Sequence, residues 1–303
     1  MSAQLSQQLP MVRGLYTSKA SLADFTTLKI GGPAEVLYQP ADFDCLSTFM
    51  ASVDKDIPQL ILGDGSNVLI RDGGIAGVVM HIGKGCDEVT ITGTTMRAEA
   101  GASTGKVARM ARAADLTGVE FICGIPGSIG GALKMNAGCY GWEMVDILTA
   151  VEVLDDKGKH HTLKPEELGF AYRHSQLPKG WIFKAAHIQL KAGDKETIRD
   201  NMRDVNKKRS ASQPLKWPNA GSFFKNPTGH SAWQLIEQAG CRGQRLGGAQ
   251  VSEKHCNFFI NRGGATAADM EDLAENVRAA VMQQCGVKLA WEVRRLGDRA
   301  CTF

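Results

Sequence analysis

Between Glu120 and Trp142 the chain reads E-F-I-C-G-I-P-G-S-I-G-G-A-L-K-M-N-A-G-C-Y-G-W, with glycine at 124, 127, 130, 131, 138 and 141. Glycine is costly inside a helix or a central strand, so this density marks backbone that takes unusual angles or lies against a ligand. Phe121, Ile122, Ile125, Ile129 and Leu133 are interleaved with the glycines, which excludes a solvated linker. The stretch reads as a buried loop with a row of open backbone amides, suited to an anionic group such as a pyrophosphate. A tightly packed turn region with no ligand is the alternative.

A second loop, G-D-G-S-N at 63–67, can also wrap phosphate with amides and a hydroxyl. It follows the apolar Leu60-Ile61-Leu62 and precedes Val68-Leu69-Ile70, so it sits between two strands. A plain hairpin turn is the competing reading. The dinucleotide fingerprint of a Rossmann domain needs a helix after its glycines, and here a strand follows, so that fold is disfavoured. His255 could act as an acid or base near neutral pH, as a polar substrate contact, or as a packed structural residue. The run K-K-R-S at 207–210 could meet a diphosphate, although a solvated face is the commoner meaning of such a run.

The totals bound what these residues serve. A chain of 303 residues has room for two or three domains, and 43% hydrophobic with 22% charged residues is ordinary for a globular protein. A net charge of +3 is too small to argue for nucleic acid. No run approaches the about 18 apolar residues of a membrane span, and the first twenty residues lack the order of a signal peptide, which points to a cytoplasmic protein. The eight cysteines carry no C-x-x-C pair, so neither a disulfide framework nor a zinc site is expected.

The elements that must position the loops follow from periodicity. Residues 1–20 are polar and suggest a surface helix. Gly31-Gly32-Pro33 punctuates two apolar strands, and 42–53 has helical spacing. Strands are expected at 77–82, 89–91 and 96–100, then a helix capped by Ser103 or Thr104. A hairpin over 148–163 turns at D-D-K-G, and 181–190 reads as a strand. Residues 195–212 are helical and charged. After them come a short helix at 231–239, a strand at 257–260, a helix over 267–285 with Thr266 and Asp269 at its start, and a strand at 287–296. We place domain boundaries at 1–83, 84–195 and 196–303.

Taken together, G-D-G-S-N-V-L-I, G-I-P-G-S-I-G-G-A-L-K-M-N-A-G, Y-R-H-S, A-G-S-F-F-K-N-P, G-G-A-Q-V-S and W-E-V-R-R-L-G resemble the UDP-N-acetylenolpyruvoylglucosamine reductases in kind and order, from about Thr27 to Gly297. The resemblance implies an α+β chain: a two-lobed FAD-binding domain of the vanillyl-alcohol-oxidase (PCMH) type, then an α+β substrate-binding domain. It implies that NADPH reduces tightly bound, non-covalent FAD, and that the flavin passes hydride to the enolpyruvyl group of the UDP-sugar, giving UDP-N-acetylmuramate for peptidoglycan. The cofactor-binding residues it implies are Gly63, Asp64, Gly65, Ser66, Asn67, Gly101, Pro126, Gly127, Ser128, Gly130, Asn136 and Gly138.

Reducing an enol ether that bears a carboxylate needs hydride at one carbon, a proton at the other, and stabilisation of the charge between these steps. The resemblance makes Ser222 the proton donor and assigns Arg173 and Glu292 to the substrate carboxylate. Lys225, Asn226 and His255 are expected on the substrate side. Many relatives have L-E-P-E-V-R where this chain has Leu289-Ala290-Trp291-Glu292-Val293-Arg294, so the glutamate is kept and the proline is not. The short run from Arg173 to Ser222 resembles the family type that lacks a tyrosine-bearing loop over the sugar nucleotide. No metal, nucleic acid, membrane or obligate protein partner is expected. Another flavin-dependent oxidase of the same fold, or a non-catalytic flavin-binding module, are the competing functions.

Overall fold

The computed structural model describes residues 5–299, which form two compact units. The first draws on Met1–Ser18, Val36–Asp64 and Gly77–Arg209; the second draws on Lys19–Glu35, Gly65–Ala76 and Ser210–Phe303. Each unit has its own apolar core, the first around Tyr38, Phe49, Ile122, Val151 and Ile188, the second around Leu69, Phe223, Phe259, Met270 and Val277. Among the described residues no helix is long and apolar enough to cross a membrane, and the described cysteines carry no disulfide.

In the first unit, an antiparallel sheet runs in the order His160–Leu163, Leu148–Leu154, Ile182–Gln189, Thr95–Glu99, Val89–Thr92. Alternation along Leu148–Leu154 buries Val151 and Val153, while Glu152 between them meets Arg97 at 2.7 Å and His187 at 2.7 Å. The bond from Arg97 and the cation's charge hold the Glu152 carboxyl down at about 2. Pairing of Gln59–Leu62 with Ile75–His81 is parallel. Two expectations change here. Gly14–Ser21 is a strand, not part of a surface helix, because Tyr16 packs its ring on Tyr38 at 4.8 Å and tertiary packing outweighs local polarity. The glycine-rich stretch holds a short helix, Ile129–Lys134, and Gly130 is tolerated inside it because a Cβ there would lie 2.9 Å from that of Ala100.

In the second unit, the antiparallel order is Asn219–Ser222, Phe258–Asn261, Ala249–Val251, Arg245–Leu246. The inner face of this sheet meets the Ala267–Cys285 helix, which buries Met270, Leu273, Ala274, Val277 and Val281. Thr266 and Asp269 form the expected capping box, and Gly286 ends the helix at φ +67°. Val68–Ile70 does not continue the strand before G-D-G-S-N; it pairs in parallel with Arg294–Leu296. The closing strand is thus shorter than the periodicity suggests, because its upstream part is an irregular run touching Phe224 through Trp291.

One buried carboxylate joins these pieces. Glu271, 2% exposed, takes both Nε (3.0 Å) and Nη2 (2.9 Å) of Arg71, and Nη1 of Arg295 at 2.9 Å. Next to it, the Asp72 carboxylate accepts from the amides of Ala267 and Ala268, both at 2.9 Å. Burial by itself pushes the Glu271 carboxyl up, but the arginine hydrogen bonds and charges overcome it and bring the pKa down to about 2. A carboxyl lowered on folding stabilises the fold above its unfolded pKa of 4.5 and loses that contribution as pH falls toward 2. Glu271→Gln is therefore expected to cost about 2–4 kcal/mol at pH 7 and to flatten the stability profile between pH 5 and 2. Urea unfolding across that range checks it; an unchanged midpoint at pH 7 overturns the account.

Candidate functional site

In the first unit, two helix starts are brought side by side. Ser103 caps Thr104–Ala113 by accepting from Lys106 N (3.1 Å), and Ser128 caps Ile129–Lys134 by accepting from Gly131 N (3.4 Å). They stand opposite each other in an antiparallel bridge flanked by Thr104 N→Gly127 O (3.0 Å) and Ile129 N→Ala102 O (2.9 Å). In that geometry the two serine amides point away from the partner strand, and among the described residues neither donates to the protein. Adjacent helix N-termini with open N–H groups favour an anion.

Other amides of the loop are used within the protein: Ile125 N donates to Ile122 O and Gly130 N to Ala100 O. The expected row of open amides is correspondingly shorter. Gly63 approaches Ser128 so closely that a Cβ would fall 2.6 Å from its Oγ. Gly127, after Pro126, takes φ +114°, which strains any side chain. At Gly101, Gly130 and Gly138 the missing Cβ would strike protein atoms, at 2.6 Å from Cys86 O, 2.9 Å from Ala100 Cβ and 2.3 Å from Trp142 O. Close chain packing demands glycine at those three positions, as the alternative reading of the stretch has it.

Lys-Met-Asn-Ala-Gly at 134–138 seats Y-R-H-S. Asn136 is 1% exposed; its Nδ2 donates to Glu143 Oε2 (2.7 Å) and Ala171 O (3.3 Å), and its Oδ1 accepts from Val145 N (3.1 Å). Ser175 Oγ donates to Lys134 O at 3.0 Å. Ala171 and His174 exchange backbone bonds of 3.1 and 3.0 Å across a tight turn whose second central residue, Arg173, has φ +54°. This left-handed conformation costs a non-glycine residue about 1 kcal/mol or more. Arg173 holds it with its guanidinium 5.0 Å over the Tyr172 ring and Nη2 donating to Gly138 O at 3.4 Å.

In the second unit, the remainder of G-D-G-S-N meets the closing segment. Gly65 has φ +61°, and a Cβ there would fall 2.2 Å from Phe25 O. Thr27 donates from N to Gly65 O (3.2 Å) and from Oγ1 to Asn219 O (2.7 Å), tying the loop to the strand that ends in Ser222. Ser66 lies between Gly65 and Asn67 in that loop. Asn67 Nδ2 donates to Glu292 O at 3.3 Å, and Asn67 O accepts from Arg294 N at 3.1 Å. On the first unit's side of the loop, burial raises the Asp64 pKa.

Ser222 and Glu292 are brought together by the backbone. Phe223 O accepts from Glu292 N (2.8 Å) and Val293 N (3.3 Å), and Lys225 N donates to Ala290 O at 2.8 Å. Asn257, 3% exposed, clamps the next residue by accepting from Phe224 N (3.0 Å) and donating to Phe224 O (2.7 Å). Trp291 packs against Phe224 at 5.4 Å and Phe223 at 5.9 Å, and its indole donates to Glu275 at 3.0 Å. The Ser222 hydroxyl makes no hydrogen bond with a described residue and is only half-buried, so it can donate to a ligand. Asn226 is exposed and its Oδ1 accepts from Ala232 N (2.9 Å) at the start of the Ala232–Gln238 helix. His255 stands edge-on to Phe258 at 4.8 Å, and burial lowers its pKa, so the ring is neutral near pH 7. Thr27 and Asn257 escape sequence reasoning because their roles lie in backbone partners remote in the chain.

The sequence model of the FAD binding domain matches residues 34–164, and that of the UDP-N-acetylenolpyruvoylglucosamine reductase C-terminal domain matches 213–296. A UDP-N-acetylenolpyruvoylglucosamine reductase of Parvibaculum lavamentivorans is 49% identical, covering 98% of this chain and 96% of its own. One from Paramagnetospirillum magneticum is 48% identical, covering 96% and 95%. The crystal structure of the reductase from Thermus caldophilus superimposes with a TM-score of 0.83 at 37% identity, over 95% of this chain and 100% of that one. With such identity along nearly its whole length, the α+β chain belongs to the family of UDP-N-acetylenolpyruvoylglucosamine reductases.

Proposed function

We propose that this chain is an FAD-dependent oxidoreductase that reduces the enolpyruvyl group of UDP-N-acetylglucosamine enolpyruvate to UDP-N-acetylmuramate, a peptidoglycan precursor, with NADPH as the electron source. Family membership supports the reaction, and the observation that carries the residue assignment is the Phe223 carbonyl, which draws the Glu292 and Val293 amides onto the residue after Ser222.

The chain's own loops suit FAD. Paired helix starts at Ser103 and Ser128 favour a pyrophosphate, Gly63 lets its loop pack directly on Ser128, and Gly127 holds a φ of +114° that a side chain would strain. Gly63, Asp64, Gly65, Ser66 and Asn67, with Pro126, Gly127 and Ser128, are the residues we assign to holding it; Gly101, Gly130, Asn136 and Gly138 shape that cradle from behind. When bound, the flavin supplies the hydride.

Ser222 Oγ donates the proton to the substrate carbon that the hydride does not take. A serine hydroxyl is a weak acid, so the proton moves only where the developing charge is held and the donor is fixed in place. Bonds from Glu292 N to Phe223 O and from Asn257 to Phe224 fix the backbone on either side of that donor. Glu292 and Arg173 act on the substrate carboxylate, and the cost of the Arg173 backbone conformation fits a residue held for a ligand. Lys225 contributes positive charge on the substrate side. His255 contributes a neutral ring, and Asn226 orders the adjoining helix start.

Purified protein is expected to be yellow and to turn over NADPH, beyond the single equivalent that bleaches its flavin, only when the enolpyruvyl sugar nucleotide is present; a colourless protein that refuses added FAD overturns this function. Ser222→Ala is expected to leave bleaching of the flavin by NADPH intact while product formation stops, read by stopped flow; normal turnover removes Ser222 from proton donation. Glu292→Gln is expected to slow the substrate-dependent phase more than about tenfold. An unchanged rate there returns Glu292 to a structural place in the closing segment. Gly127→Val is expected to lower FAD occupancy in the purified protein, and a variant with full occupancy shows that the loop does not approach the cofactor.

A further inference from the structure

Trp291 stands directly before Glu292, and its ring is held both at its edge and by packing. An indole has one polar group, its N–H, and a half-buried one needs a partner. The partner here is a carboxylate: Trp291 Nε1 donates to Glu275 Oε1 at 3.0 Å. A charged acceptor makes that bond stronger than one to a neutral oxygen. The Arg295 guanidinium lies 4.4 Å from the ring centroid, Phe224 meets the ring edge-on at 5.4 Å, and Phe223 packs on it at 5.9 Å. Together these contacts leave the indole one orientation.

Glu275 serves more than the indole. Its Oε2 accepts from Arg278 Nη1 at 2.5 Å, and Arg278 Nε donates to Leu289 O at 2.9 Å. Arg295 Nη1 bonds Glu271, one turn earlier on the same helix, at 2.9 Å and comes within 3.6 Å of Glu275 Oε1. The Ala267–Cys285 helix thus grips the closing segment at Leu289, at Trp291 and at Arg295. Glu292 lies between the last two of these holds.

The turn after Ser222 holds the same segment by backbone. Trp291 and Phe224 face each other in an antiparallel bridge, flanked by Lys225 N→Ala290 O and Glu292 N→Phe223 O, both 2.8 Å. Val293, 2% exposed, is part of the core. Between Gly286 and the strand Arg294–Leu296 the segment has no longer ladder of its own. So short a pairing fixes the register of Glu292 against Ser222, but it resists tilting weakly. The tilt is set by the side-chain holds, and Trp291 is the one adjoining Glu292 in the chain. Misplacing a reacting group by 1 Å can cost about a hundredfold in rate, so this tilt matters to chemistry.

We propose that Trp291 is a positioning residue for the reduction: through its bond to Glu275 it sets the tilt of the closing segment and so aims the Glu292 carboxylate at the substrate. It acts through Glu292 and takes no part in proton or hydride transfer. The inference rests on the reading of Glu292 as a group that acts on the substrate carboxylate. A residue that only filled the core would be replaceable by another aromatic ring. The carboxylate partner at the indole edge makes the donor, and not the ring alone, the feature that counts.

Stopped flow on the FAD-loaded protein reads the two half-reactions separately. Trp291→Phe keeps an aromatic ring and removes the donor. It is expected to leave flavin bleaching by NADPH at the wild-type rate and to slow the substrate-dependent reoxidation about tenfold, with kcat falling more than KM for the sugar nucleotide rises. Glu275→Leu removes the acceptor instead and is expected to slow the same phase; it covers the case in which Trp291→Phe does not fold. Glu275→Gln, whose amide oxygen still accepts from the indole, is expected to recover most of the rate. Placed in a Glu292→Gln background, Trp291→Phe is expected to add no more than about twofold, because the two act as one unit. A wild-type reoxidation rate in both Trp291→Phe and Glu275→Leu overturns the proposal. So does an equal slowing of both half-reactions, or a full effect of Trp291→Phe in the Glu292→Gln background. Failure of Glu275→Gln to recover the rate removes the hydrogen bond from the account and overturns it too. An unchanged rate in Glu292→Gln alone defeats the reading of Glu292 and the proposal with it, and is told apart from the other results by appearing in that single variant.

Discussion

Three arginines around one buried carboxylate set the frame on which the second unit's chemistry depends. Arg71 follows the strand that leaves G-D-G-S-N, Arg295 lies in the closing strand just after Glu292 with Arg299 beyond its end, and Glu271 belongs to the long helix. Val68–Ile70 and Arg294–Leu296 pair in parallel above that cluster, so their register and the ion network enforce each other. A charge removed from water is costly unless it is fully paired. Here the pairing is bidentate from Arg71 and supplemented by Arg295, which keeps Glu271 ionised to about pH 2. Asn67 and Glu292 inherit their placement from this arrangement, one through its side-chain amide and the other through its carbonyl.

Backbone bonds then carry that placement to Ser222. The Phe223 carbonyl takes two amides from the closing segment, and Asn257 satisfies both polar groups of Phe224. Buried backbone groups must find partners, and these partners leave Ser222 little freedom while its hydroxyl stays uncommitted. The aromatic cluster of Phe223, Phe224, Phe259 and Trp291 packs beneath the same turn. Trp291 is held in that cluster by its indole, which donates to Glu275.

In the first unit the governing constraint is steric. Glycines at 101, 130 and 138 let backbone segments approach within distances no Cβ permits, and the two helix starts at Ser103 and Ser128 meet only because those approaches occur. The same packing positions Lys134 and Asn136 to grip the turn that holds Arg173. A left-handed arginine persists there because the surrounding bonds over-determine the turn.

Much of this was legible in the chain itself. Helical spacing with Thr266, Asp269 and Gly286 at the ends set out the Ala267–Cys285 helix, since capping and amphipathic period are local properties. The glycine-rich loops, the D-D-K-G hairpin and the ordered motifs were equally plain, because turn chemistry and family resemblance live in consecutive residues. Tertiary structure alone decided that Gly14–Ser21 is a strand and that Val68–Ile70 pairs with Arg294–Leu296, for strand pairing is a contact between distant segments. It alone identified the glycines whose missing Cβ admits a neighbouring segment of the chain, such as 101, 130 and 138. It alone showed that Thr27, Asn257 and Glu271 hold the site, because a hydrogen bond to a remote carbonyl or a buried ion pair leaves no pattern in the sequence near either partner.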